Sequence, residues 1–99
     1  MPRVMFTISY GVKPDRREQY LALMNELKEH FARARGQNYT VYEIKGRTNH
    51  FQEVFLTGSL EEFDALEDSQ DETTDELVRR LGDMIDEGGM KYTTLIEAE

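Results

Sequence analysis

The sequence predicts an α+β domain with the element order β-α-β-β-α-β. Three observations lead there. Four runs alternate side-chain character with period two, two stretches between them repeat apolar residues at helical spacing, and turn-forming glycines or capping signals separate the segments. Ninety-nine residues supply one hydrophobic core, so positions 1–99 are expected to form a single domain without repeats, low-complexity tracts or linkers.

Val4, Phe6, Ile8 and Tyr10 alternate with Met5, Thr7 and Ser9, a strand ended by Gly11. Asp15 as N-cap, with Glu18 three residues on, predicts a helix beginning near Arg16. Along it Tyr20, Leu23, Met24, Leu27, Phe31 and Ala34 share one apolar face, Glu29 and Arg33 form a favourable i, i+4 pair, and Gly36 stops it. Residues 39–44 (YTVYEI) and 51–56 (FQEVFL) flank the turn-forming Gly46-Arg47-Thr48-Asn49 and read as a hairpin. Setting Glu43 opposite Glu53 would juxtapose like charges. The expected register therefore pairs Lys45 with His50 and Tyr42 with Glu53 across a four-residue loop. It places Val41, Val54 and Leu56 on one face and Ile44, Phe51 and Phe55 on the other. Two capping boxes follow, Ser59 with Glu62 and Thr73 with Glu76, so the second helix is expected to break between Asp68 and Thr73. Leu60, Phe63 and Leu66 line its first part, and Leu77, Leu81, Met84 and Ile85 its second. Gly88-Gly89 reads as its C-cap and residues 90–96 (MKYTTLI) as the last strand.

This order packs two helices on one face of a four-stranded antiparallel sheet, the ferredoxin-like arrangement. The hairpin is apolar in places on both faces, so a second copy of the chain is expected to cover the face without helices.

Composition narrows function. Lys+Arg 12 against Asp+Glu 20 gives a net charge of −8, which repels phosphate backbones and anionic headgroups, so neither nucleic acid nor a membrane is expected as a partner. With 0 Cys, disulfides, thiolate metal sites and cysteine nucleophiles are excluded. The opening MPRVMFTISYGV runs into KPDRREQ, too short an apolar run for a signal peptide, and a cytoplasmic location is expected. The acidic run 61–76 matches no EF-hand spacing and lacks its central glycine; it reads as a solvated face, with no metal expected.

The strand VMFTISYGV, the long helix RREQYLALMNELKEHFARARG, the hairpin and above all Gly58-Ser59-Leu60-Glu61-Glu62-Phe63-Asp64-Ala65-Leu66 resemble the dimeric α/β-barrel superfamily, within it the antibiotic biosynthesis monooxygenase-like domains, over nearly the whole chain. The resemblance implies a homodimer whose two sheets close into a barrel, with a ligand cleft in each monomer between helices and sheet. Heme-degrading members resemble one another in a first-strand Asn, a Trp and an iron-ligating His on the second helix. Here the first-strand positions hold Met5, Thr7 and Ser9, there are 0 Trp, and no His follows His50, so heme is not expected. The Trp with which cofactor-free oxygenases hold phenolic substrates is absent too. The resemblance thus implies a small homodimeric protein without a cofactor, with a cleft for a small apolar or aromatic ligand. The alternative is a cofactor-independent monooxygenase acting on a small aromatic or quinone-like substrate.

Within that frame Tyr10, Tyr42 and Tyr92, on three different strands, are candidates to orient or deprotonate an aromatic substrate, or are ordinary strand tyrosines. His30, at the edge of the apolar helix stripe, is either a general base or a half-buried histidine with Glu26 as its i−4 partner. His50 with Arg47 either grips an anionic substrate at a barrel mouth or decorates a solvated hairpin tip. Glu43 and Glu53, carboxylates inside strands, are either cleft acids or paired with Lys45, Lys91 or arginines across the dimer, and Tyr42 is the expected donor to Glu53.

Overall fold

The computed structural model describes residues 2–68 and 71–98, the side chains of 67 and 68 excepted. Its elements in chain order are β1 (Val4–Gly11), α1 (Arg17–Lys28), β2 (Asn38–Glu43), β3 (His50–Thr57), α2 (Leu60–Asp68), α3 (Glu72–Gly82) and β4 (Lys91–Ile96). The strands pair antiparallel throughout in the order β2-β3-β1-β4, which makes the domain ferredoxin-like. The second helix is divided into α2 and α3, as its two capping signals require; residues 69–70 between them lie outside the described residues. Among the described residues no helix is long and apolar enough to cross a membrane.

Helix starts depart from the expected caps. Asp15 does not cap α1; Pro14 instead opens a 3-10 turn whose N-cap, Lys13, gives it no side-chain cap. Proline at the first turn has no N–H to satisfy and a φ already helical, so a side-chain cap is less needed. At α3 the cap is Asp71 rather than Thr73, its Oδ1 accepting the Thr74 N–H at 2.6 Å. Only the Ser59–Glu62 box forms much as expected: Glu62 N–H donates to Ser59 Oγ at 3.2 Å, while the Glu62 carboxylate accepts from Gly58 N–H at 2.8 Å. α1 runs on as a π-helical segment, Glu29–Ala34, before Gly36 at φ 64° ends it. This wider turn keeps Phe31 buried but rotates Ala34 out to solvent. Gly88-Gly89 is not a C-cap: α3 ends at Gly82, and Gly89, at φ 72°, turns the later loop into β4.

The hairpin register differs by one residue from the expected one. Val41 faces Glu53, Tyr42 faces Gln52 and Glu43 faces Phe51, and Ile44 N–H bonds the His50 carbonyl at 2.8 Å across the five residues 45–49. A slip of one residue moves every side chain to the other face. Tyr39 and Val41 therefore join Phe51, Glu53 and Phe55 beneath the helices, whereas Tyr42 joins Val54 and Leu56 on the open face. The observed register still keeps Glu43 from facing Glu53, setting it opposite Phe51, and Arg17 of α1 engages both oxygens of Glu43, at 2.6 and 2.9 Å. Burial decided the register: the Tyr39 and Phe55 rings pack 4.7 Å apart at a tilt of 50°, and Phe31 meets both rings.

Tyr20, Leu23, Met24 and Leu27 of α1 are the centre of the core, and Leu77 and Leu81 of α3 close it. Phe6 and Ile8 pack against this cluster. Leu23→Ala is expected to lower stability by about 2–5 kcal/mol, a cavity cost, while Leu21→Ala, on the exposed side of the same helix, stays within about 0.5 kcal/mol. Chemical denaturation of both variants checks this; equal losses would contradict the helix orientation.

Candidate functional site

Glu53 lies in the middle of β3, on the helix-facing side, with 3% of its surface exposed. A carboxylate there must be hydrogen-bonded. Tyr39 Oη donates to Glu53 Oε1 at 2.6 Å and Tyr10 Oη to Oε2 at 2.8 Å. Tyr20 Oη lies 2.8 Å from Tyr10 Oη, and since the Tyr10 O–H is directed to Glu53, Tyr20 is the donor in that bond. Burial pushes the Glu53 carboxyl above its ordinary value, and the two phenol donors only partly offset this. Burial likewise raises all three phenols, and the Glu53 charge adds to it, so they stay protonated near neutrality. Tyr42 is not the donor; it lies on the open face, 57% exposed. Tyr39, which sequence reasoning missed, sits opposite Phe55 and hence diagonal to Glu53 on the same face.

With Phe31 and Leu77 buried and Phe6 and Ile8 packed on them, the space between helices and sheet around this network is filled. One opening, of about 700 Å³, lies between the end of α1 and the start of α3, and another lies where β1 ends and β3 and β4 begin. There a cleft of about 560 Å³ is lined by Ser9, Tyr10, Gly11, Ile44, Arg47, His50, Lys91 and the loop 86–89. Its frame is backbone. Asp86 N–H donates to the Gly11 carbonyl at 2.9 Å, Val12 N–H to Asn49 at 2.7 Å, and Lys13 N–H to Met84 at 2.9 Å. Asp86 Oδ1 accepts Gly88 N–H at 2.9 Å, and its other oxygen hangs over Gly11. Any Cβ at position 11 would overlap that carboxylate and approach His50 Nε2 to 3.1 Å, so the glycine leaves the room that the Asp86 side chain occupies.

The structure thus brings Arg47, His50 and the wall of Tyr10 together, and adds Lys91 and Asp86. His50 is half-buried at the start of β3, not at the hairpin tip. Among the described residues neither Arg47 nor Lys91 has an ion-pair partner, whereas Arg3, Arg17, Arg33, Arg79 and Arg80 are matched with Glu97, Glu43, Glu29, Glu76 and Glu26. Arg17 and the Asn49 N–H hold Glu43 well below the usual carboxylate range, at about 2. Glu43 is therefore paired by an arginine, as one of the expected alternatives has it, but within its own chain rather than across a dimer.

The remaining candidates lie apart. His30 Nε2 meets Thr74 Oγ1 at 2.8 Å and Asp71 Oδ1 at 3.3 Å, tying the end of α1 to the start of α3; Glu26, its expected partner, bonds Arg80. Tyr92 stacks on Phe6 and places its hydroxyl on the Met90 sulfur. Within the acidic run, Glu62 and Asp71 cap helices and Glu76 pairs with Arg79. Among the described residues no three His, Cys, Asp or Glu side chains gather as a metal site would require.

The fold is that of antibiotic biosynthesis monooxygenase-like domains. A structure of an antibiotic biosynthesis monooxygenase superposes with a TM-score of 0.72 at 15% identity, covering 97% of each chain. A Caulobacter crescentus protein provisionally given the same name superposes at 0.79 with 16% identity, over 99% of this chain and 92% of that one. A conserved protein from Methanosarcina mazei reaches 0.82 at 16% identity, over 99% and 95%. No family model matches the sequence, and no curated protein is significantly similar to it. At such identities the likeness is one of fold, and chemistry must be argued from the site.

Because the Glu53 carboxyl is raised in the folded protein, its contribution to stability is complete below the ordinary value of 4.5 and is lost as pH rises through the folded value. Glu53→Gln removes that dependence. The stability advantage of the parent over Glu53→Gln is expected to be largest below pH 4.5 and to shrink as pH rises, then level off. Thermal melts of both proteins from mild acid to neutrality check it; a gap that widens with pH would contradict the assignment.

Proposed function

We propose that this chain works as a homodimeric α/β barrel that binds a small organic anion, aromatic in its body, in the cleft at the Gly11 end of the sheet. The observation that carries this reading is the pair of unmatched cations, Arg47 and Lys91, lining one cleft in a chain of net charge −8. In such a chain acids outnumber bases, and cations left without a carboxylate beside a cavity suit a ligand that brings its own. His50 and Tyr10 complete the walls, and Glu53 acts from behind by fixing the Tyr10 ring. His30, Tyr42 and Tyr92 have no part in this cleft. The same charge disfavours nucleic acid and membranes as partners, and no cofactor is invoked. A chain with 0 Cys also suits the cytoplasm.

Dimerisation is supported by the open sheet face. By register it carries Met5, Val54, Leu56, Tyr42 and Leu95, of which Tyr42 and Leu95 are more than half exposed. A second reading, oxygenation of a small aromatic or quinone-like substrate without cofactor, draws on the monooxygenase names of neighbours sharing the fold.

Sedimentation equilibrium at micromolar concentration is expected to give a dimer, and Leu95→Glu a folded monomer; a monomeric parent would refute the barrel. Benzoate titrated by NMR is expected to shift resonances of residues around Gly11, with affinity falling about tenfold in Arg47→Ala and again in Lys91→Ala, the scale of a charge-assisted hydrogen bond. Shifts confined to other surfaces would refute the cleft as the site.

A further inference from the structure

The cleft at the end of the sheet carries charges of both signs that do not meet. Arg47 and Lys91 share its walls with Asp86 and Glu87, and among the described residues no ion pair joins any of the four. Opposite charges held apart around one cavity suit a ligand that brings both signs. Their spacing follows from the ladder. Gly11 faces His50 and Ser9 faces Lys91, so these four positions share one face of the sheet. The Lys91 rung lies two residues from Gly11, about 7 Å along the strand, which matches the length of a benzene ring with a substituent at each end.

At the Gly11 end two acceptors look onto the same space. A Cβ on residue 11 would overlap Asp86 Oδ2 and stand 3.1 Å from His50 Nε2. His50 Nδ1 lies 3.2 Å from the Thr48 carbonyl oxygen, and a carbonyl only accepts, so Nδ1 carries the hydrogen and Nε2 of the neutral ring keeps its lone pair. The Asp86 carboxylate is held by the Gly88 N–H on Oδ1 and by the bond of its own N–H to the Gly11 carbonyl, while Oδ2 has no hydrogen bond among the described residues. Two acceptors from separate elements call for a donor with more than one N–H.

We propose that the ligand of this cleft is an aromatic acid that carries an ammonium group at the opposite end of its ring. This rests on the reading of the cleft as an organic-anion site. Arg47 and Lys91 hold the carboxylate, Ile44 offers the ring an apolar contact, and the ammonium lies over Gly11, donating to Asp86 Oδ2 and His50 Nε2. Glu87, exposed beside Asp86, adds to the negative potential there. The net charge of such a ligand is zero, so it escapes the repulsion that a chain of −8 exerts on a plain anion.

The test compares two probes of nearly equal shape, 4-ethylbenzoate and 4-(aminomethyl)benzoate, titrated by NMR into the intact protein in mildly alkaline solution, where an imidazole is neutral and an alkyl ammonium still charged. The amine is expected to bind about tenfold more tightly, the scale of one charge-assisted hydrogen bond, with both probes shifting resonances around Gly11. In Asp86→Asn, whose amide oxygen can still accept the Gly88 N–H, the two affinities are expected to come within about twofold of each other. Glu61→Gln, which removes the same charge from α2, is expected to keep the tenfold preference. If 4-ethylbenzoate does not bind the parent, or binds the Arg47→Ala/Lys91→Ala double variant equally well, the organic-anion reading itself fails. If 4-ethylbenzoate binds through those cations but the amine brings no gain, or Asp86→Asn keeps the gain, or Glu61→Gln abolishes it as well, the ammonium subsite is overturned and the organic-anion reading stands.

Discussion

The constraint on which the rest of the structure depends is the burial of one carboxylate in the middle of the sheet. Glu53 sits beneath the helices among Phe51, Phe55 and Tyr39, where a bare charge would cost several kcal/mol. Two tyrosines from the neighbouring strands and a third from α1 answer it, so that β1, β2, β3 and α1 are joined by three hydrogen bonds of 2.6 to 2.8 Å. An apolar side chain at position 53 would need no such partners. The polar choice demands a single arrangement: Tyr39 must lie on the helix side of β2, which fixes the hairpin register, and Tyr20 must face the sheet, which fixes the rotation of α1.

The same arrangement sets up the cleft. Tyr10, anchored by Glu53, is the last large side chain of β1 before Gly11, and the chain beyond it is pinned by backbone bonds from Val12 and Lys13 to the loops that carry Asn49 and Met84. The surfaces that remain open at that end are polar and charged, while the space between helices and sheet is occupied by aromatic rings. The cleft proposed for a ligand is accordingly at the end of the sheet, where Arg47, His50, Asp86 and Lys91 arrive from separate loops and strand ends.

Much of the fold was legible in the sequence. The period-two runs, the apolar stripe of α1 and the Ser59–Glu62 signal gave the element order and the break in the second helix, since these depend on local spacing. What was not legible depended on long-range partners. The register turned on the aromatic cluster around Tyr39, whose partners Phe31 and Phe55 come from other elements. The helix caps shifted because Pro14 and Asp71 compete with Asp15 and Thr73 at neighbouring positions. For the site, His50 and Arg47 were visible as a polar pair close in sequence. Asp86 and Lys91 were not, because only the β1–β4 pairing and the turn at Gly89 bring them to the same place. In sequence Gly11 marks only the end of a strand; its missing Cβ is what admits the Asp86 carboxylate.

The most direct measurement is a titration of the Glu53 side-chain carboxyl by carbon-13 NMR, with the resonance assigned through Glu53→Gln. Burial among the three tyrosines predicts a midpoint above the ordinary 4.5, accompanied by slowly exchanging hydroxyl protons on Tyr10 and Tyr39. A midpoint at or below 4.5, with both hydroxyls exchanging freely, would mean that the carboxylate is solvated and that the interaction holding register, helix and cleft together does not exist.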